Sequence, residues 1–162
     1  MGAMYTRAFL AELERGLTAS VGAWGLSPDT RVSLLNISEN ATFRADDPRA
    51  GDPIVLRVHR PNYHTRDEIR SELAWIDALR AEGIAPIPAP VELASGGRIA
   101  AMRLDSGTRD VVAFAFMTGA EPAPTDDLTE RFRQLGAISA RLHAHARAWR
   151  RPEGFTRKSW TW

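Results

Sequence analysis

Arg57 stands in the middle of an apolar run, Ile54-Val55-Leu56-Arg57-Val58-His59-Arg60. The run reads as a buried strand. Successive strand side chains point to opposite faces, so Ile54, Leu56 and Val58 share one face and Val55, Arg57 and His59 the other. A charge placed there is costly unless it is paired. The next segment offers a partner. Arg66 to Ala81 reads as a helix with Ile69, Leu73, Ile76 and Leu79 or Arg80 along one side. Glu72 lies on that side, three residues after Ile69 and four before Ile76. A strand cation followed by a helix glutamate is an arrangement that can hold the phosphates of a nucleotide. Alone, the two residues also allow a plainer reading, with Arg57 reaching to solvent from an edge strand and Glu72 solvated.

Other chemistries find less support. The chain has no cysteine, which excludes disulfides, thiolate zinc sites and a cysteine nucleophile. His143 and His145 are two apart, so on a helix they face different ways and do not share a metal. His59 and His64 flank a turn without an obvious carboxylate partner, and no serine has the glycine setting of a hydrolase elbow. The net charge of +1 creates no field that would draw in nucleic acid or a membrane. Arg147, Arg150, Arg151, Arg157 and Lys158 form a basic group beside Trp149, Trp160 and Trp162. Basic residues among aromatics can bind nucleic acid; the preferred reading is a helix end whose aromatics pack on something. Lys158 is the only lysine, so no lysine competes with Arg57 for the strand position.

The elements that must position Arg57 and Glu72 follow from pattern. With 44% hydrophobic and 25% charged residues, the 162-residue chain is an ordinary globular protein with room for a core. Glu12 and Glu14 interrupt any signal peptide, and the longest apolar run, Val111 to Met117, is far shorter than the roughly 20 residues that span a bilayer. A cytoplasmic location without a membrane partner is expected. Tyr5 to Val21 reads as an amphipathic helix carrying Phe9, Leu13, Leu17 and Val21. Arg31 to Asp46 reads as two strands around the polar turn Asn36 to Ala41. No glycine lies between Gly25 and Gly51, so a glycine-rich phosphate loop is absent and the residues alone favour an ordinary hairpin.

Thr65 with Glu68 has capping-box spacing at the start of the Glu72 helix, and Gly83 closes it. Pro86, Pro88 and Pro90 make an extended connector. Val91–Leu93, Arg98–Leu104 and Asp110–Phe116 read as strands separated by Gly96-Gly97 and Ser106-Gly107. Met117 to Pro124 reads as a linker. Asp127 to Trp149 is the longest helix, with Asp127 and Glu130 at capping-box spacing and an apolar stripe of Leu128, Phe132, Leu135, Ile138 and Leu142.

Four stretches in this order carry a resemblance: Leu35-Asn36-Ile37-Ser38-Glu39-Asn40-Ala41-Thr42-Phe43, Val55-Leu56-Arg57-Val58-His59-Arg60-Pro61, Ser71-Glu72-Leu73-Ala74-Trp75 and Leu135-Gly136-Ala137-Ile138-Ser139-Ala140-Arg141-Leu142-His143. The chain resembles the N-terminal lobe, with the first helix of the C-terminal lobe, of the aminoglycoside phosphotransferase and type II homoserine kinase family, a branch of the kinase-like fold. The resemblance implies an α+β fold: a mostly antiparallel five-stranded sheet with an N-terminal helix and one inserted helix, then a hinge and a long helix. Residues 1–117 would be the nucleotide-binding lobe, 118–124 the hinge, and 125–162 the start of a truncated C-terminal lobe.

The resemblance also assigns residues. Ser38, Asn40, Ala41 and Thr42 would belong to a loop closing over the phosphates of ATP. Val55 would lie against the adenine, Arg57 would hold the phosphates and pair with Glu72, and Phe114 would back the adenine pocket. Backbone groups of Ala115 and Met117 would hydrogen-bond the base. Two departures matter. Arg57 stands where many kinases carry lysine, and a planar guanidinium does not replace an ammonium conservatively. The last aspartates are Asp126 and Asp127, and no His-x-Asp catalytic loop follows. The expectation is a lobe without catalytic or metal-binding residues of its own, with magnesium entering only beside the missing lobe and a small-molecule hydroxyl as acceptor in the parent. Exposed aromatics Trp149, Trp160 and Trp162 would make the C-terminal end prone to self-association. The alternative is a non-catalytic nucleotide-binding or protein-interaction module.

Overall fold

The computed structural model describes residues 5–120, 122–123 and 127–158. The chain forms two compact units, one of Met1–His64 with Pro90–Phe116 and one of Thr65–Ala89 with Met117–Trp162.

The first unit is built on a sheet. Helix α1 (Arg7–Ser20) begins where the Thr6 hydroxyl accepts the Phe9 N–H. A 3-10 turn, Val21–Trp24, follows and stops at Gly25, whose φ of 75° suits a residue without Cβ. The strands are β1 (Arg31–Ile37), β2 (Ala41–Asp46), β3 (Ile54–Val58), β4 (Pro90–Val91), β5 (Ile99–Leu104) and β6 (Gly107–Ala115). Their order is β1-β2-β3-β6-β4, with β5 also paired to β6, and every pair is antiparallel. The sheet therefore has six strands rather than five, because even the two-residue β4 pairs with β6.

One face of this sheet meets α1. Leu13, Leu17, Val21 and Trp24 pack with Phe43, Leu56, Val58, Met102 and Val111 in a single core. Helix α1 comes close to β5 at Gly16, where a Cβ would lie 2.5 Å from the Leu104 side chain and force it to shift. The loop between β2 and β3 is fastened by Asp47, whose carboxylate accepts both the N–H and the hydroxyl of Ser27 at 2.6 Å.

The second unit contains α2 (Arg66–Ala81) and α3 (Leu128–Ala148). The capping box at Thr65 and Glu68 is present in both directions. The C-terminal end of α2 is a Schellman closure: Gly83, at φ 62°, donates to the Arg80 carbonyl and Ile84 donates to the Leu79 carbonyl. Helix α3 starts with the Asp127 carboxylate accepting the Glu130 N–H, while the Glu130 carboxylate accepts from Arg133 and Gln134.

The α3 stripe departs from expectation. Leu128, Phe132 and Leu135 are exposed, Phe132 by 67%. The buried residue of α3 is instead His145. Its Nδ1 accepts the indole N–H of Trp75 at 3.2 Å, and its ring stacks on Trp149. Trp149 also meets Phe155 edge-on, so this tryptophan packs within its own unit instead of forming an exposed end. Trp160 and Trp162 lie outside the described residues. No described helix is long and apolar enough to cross a membrane.

The Asp47 fastening has a pH signature. The hydrogen bonds from the Ser27 hydroxyl, then the Ser27 and Arg49 N–H groups, hold its carboxyl below the ordinary aspartate value of 3.8. A depressed folded-state pKa contributes stability above the unfolded value that is lost as pH falls through the folded one. Urea unfolding should therefore show the wild type more stable than Asp47→Ala near neutrality. The difference should persist down to about pH 4 and close below it.

Candidate functional site

The alternation of β2 and β3 divides the sheet into a core face and a more open face, on which the β2 and β3 side chains are partly exposed while Val112 and Phe114 of β6 are buried. In β2, Ala41, Phe43 and Ala45 are buried while Thr42, Arg44 and Asp46 are partly exposed. In β3, Leu56 and Val58 are buried, and Val55 and Arg57 are not. Residues directly opposite one another in antiparallel strands share a face. The register sets Thr42 opposite Arg57 and Arg44 opposite Val55. On the other side of β3, Arg57 faces Val112 and Val55 faces Phe114. One face of three adjacent strands thus gathers Thr42, Val55, Arg57 and Phe114.

Arg57 is oriented by its ring neighbour. Its guanidinium carbon lies 4.9 Å from the centroid of Phe114, within cation–π range. Phe114 is only 7% exposed. A half-buried guanidinium beside aromatic and aliphatic surface can bind an anion attached to a flat apolar group, because the two contacts are supplied side by side.

The turn Ser38–Asn40 joins β1 to β2 at one end of this face. It closes with a hydrogen bond from the Ser38 N–H to the Asn40 carbonyl at 3.1 Å. The Asn40 side chain accepts the Arg60 N–H, also at 3.1 Å. Ala41 is buried in the core, so it can offer a ligand only its backbone.

Comparison with known proteins identifies the architecture. A family model described as the phosphotransferase enzyme family matches residues 33–161. The chain belongs to the phosphotransferase enzyme family. A solved structure of a microcompartment-associated aminopropanol kinase is 38% identical with a TM-score of 0.78, covering 90% of this chain and 44% of that one. An amicoumacin kinase in complex with AMP-PNP and Ca2+ is 20% identical with a TM-score of 0.77, covering 97% of this chain and 47% of that one. A spectinomycin phosphotransferase in complex with ADP is 18% identical with a TM-score of 0.52, covering 83% and 37%. The last two show the kinase-like fold alone. The chain spans less than half the length of each of these structures. The search of curated proteins returned no match.

The predicted residues fall in both units. Ser38, Asn40, Ala41, Thr42, Val55, Arg57, Phe114 and Ala115 belong to the sheet unit, with Ala115 opposite Ile54 at the end of β6. Glu72 and Met117 belong to the other unit, and Met117 is 48% exposed. The Glu72 carboxylate is partly buried and accepts Arg157 at 3.1 Å. The Thr156 N–H donates to Ser71 at 2.9 Å, so the segment after α3 runs along α2 beside Glu72. Trp75, Trp149 and Phe155 line an open cavity of about 200 Å³ there.

Two groups on the sheet unit escape the sequence reading. Arg44 grips Asp46 with Nε and Nη2 at 2.7–2.9 Å and lies 4.4 Å over the Phe116 ring. These hydrogen bonds hold the Asp46 carboxyl below the usual carboxylate range. The polar alternation Thr42, Arg44, Asp46 carries that signal. The second group joins Tyr5, Glu39 and Arg60, which are far apart in sequence.

The two faces of β3 predict different costs of truncation. Leu56→Ala, in the core, should lower stability by about 2–5 kcal/mol. Val55→Ala, on the open face, should cost about 1 kcal/mol or less. Urea denaturation of both variants measures the difference.

Proposed function

We propose that this chain is the nucleotide-binding lobe of an ATP-dependent phosphotransferase that acts on a small-molecule hydroxyl. The observation that carries the reading is the register that sets Thr42 opposite Arg57 and Val55 opposite Phe114 on one open face. In this reading the adenine lies on Val55, with Phe114 behind it. The phosphates reach Arg57, and the turn Ser38–Asn40 with Thr42 closes over them. Backbone groups of Ala115 and Met117 hydrogen-bond the base edge, and residues 118–124 serve as the hinge.

Glu72 is the carboxylate proposed to orient Arg57. In this structure its carboxylate accepts the Arg157 guanidinium at 3.1 Å, a partner it would share with or exchange for Arg57 in this reading. Phosphoryl transfer also needs a carboxylate at the attacking hydroxyl and carboxylates on magnesium. Among the described residues no group of three or more His, Cys, Asp or Glu is arranged for a metal. In this reading neither role is assigned to a residue of this chain. The aminopropanol kinase likeness, at 38% identity, supports a small amino alcohol as the acceptor class.

Calorimetric titration with ATP tests the reading. Arg57→Gln should weaken ATP binding about tenfold or more, the worth of a charge-assisted hydrogen bond of roughly 1.5–3 kcal/mol. Equal affinities for wild type and variant would reject the assignment. A separate assay for phosphoryl transfer should show no turnover by the 162-residue chain alone. Magnesium-dependent turnover that disappears in Arg57→Ala would instead make this lobe an enzyme by itself.

A further inference from the structure

The turn Ser38–Asn40 contains no glycine and carries a carboxylate, Glu39, near its tip. A bare carboxylate is a poor neighbour for phosphates, since like charges a few ångströms apart repel. The structure gives Glu39 a counter-charge: Arg60 Nη1 lies 2.9 Å from its Oε2. Arg60 is placed for this by two other contacts. Its backbone N–H donates to Asn40 Oδ1 at 3.1 Å, and its guanidinium lies 5.4 Å over the Tyr63 ring. The turn is fastened once more from α1, where the Tyr5 hydroxyl donates to the Glu39 carbonyl at 3.2 Å. Three fastenings, to the backbone of residue 39 and the side chains of residues 39 and 40, hold a turn that its own sequence would leave free.

We propose that Arg60 is a positioning residue of the phosphate-covering turn, which it fixes in place while cancelling the charge of Glu39. The proposal rests on the nucleotide reading of this face given above. Arg60 does not touch the nucleotide in this account. It acts through Glu39 and Asn40, and its contribution depends on the charge of the ligand. Pre-ordering the turn lowers the conformational cost of binding, and neutralising Glu39 removes a repulsion that phosphates feel and a neutral nucleoside does not.

The test compares ATP with adenosine, each titrated into the full chain by calorimetry. Arg60→Gln should weaken ATP by about two- to fivefold, the range expected for a surface ion pair, and leave adenosine unchanged. Removing the exposed carboxylate as well, in Glu39→Gln/Arg60→Gln, should restore most of the ATP affinity. An equal loss for adenosine and ATP, or no recovery in the double variant, would overturn the proposal by reducing Arg60 to a structural residue. Amide hydrogen exchange reports on the fastening without any ligand. Glu39 to Ala41 should exchange faster in Arg60→Gln and in Tyr5→Phe, and unchanged exchange in both would also overturn it. If the wild type binds neither ATP nor adenosine, the nucleotide reading itself falls and the proposal with it. Binding by the wild type with no ATP-selective loss in Arg60→Gln defeats the proposal alone.

Discussion

The period of two in a β-strand governs this molecule's chemistry. Leu56 and Val58 are committed to the core against α1, so Val55 and Arg57 must emerge on the opposite face. A one-residue slip of β3 would bury a guanidinium and expose two core aliphatics, so the same packing that stabilises the sheet also fixes where the cation stands. The ladder then selects its neighbours. Thr42 and Val112 flank Arg57 because the register of β2 and β6 leaves no other pairing, and Phe114 comes within cation–π reach from the next position along β6 on that face.

The open face concentrates arginine on aromatic rings. Arg57 lies over Phe114 and Arg44 over Phe116. Arginine suits this arrangement because its planar, weakly hydrated guanidinium stacks where a lysine ammonium would demand water. In a chain whose only lysine is Lys158, these cations are arginines. The fork geometry allows two hydrogen bonds to one phosphate group while the ring below holds the plane. In the second unit Arg157 binds Glu72 from the segment after α3, and the Trp75–His145 bond ties α2 to α3 by way of a buried imidazole.

Much of this was legible in the sequence because it depends on local rules. The alternation around Arg57, the capping box at Thr65 and the Gly83 closure each follow from residues within a few positions of one another, and each is present. The α3 stripe shows where such reasoning stops. Periodicity marks Leu128, Phe132 and Leu135 as one apolar side, but it contains no information on what covers that side, and these residues are exposed. Trp149 was expected at a bare end and packs on Phe155 instead, because the turn at Pro152 to Gly154 folds the chain back, a contact set by backbone path. The Tyr5–Glu39–Arg60 group was hidden for a related reason: its members are brought together by tertiary structure, and each has an ordinary surface residue's sequence context.

The central claim is that the open face of β2, β3 and β6 receives the nucleotide. Two-dimensional NMR of the 15N-labelled chain during ATP titration tests it most directly. The account predicts that the amide shifts concentrate on Ser38 to Thr42, Val55, Arg57 and Phe114 to Met117, with α1 and the exposed side of α3 unmoved. Shifts centred on α1, or on the aromatic cavity beside Glu72 with the β3 amides silent, would contradict it.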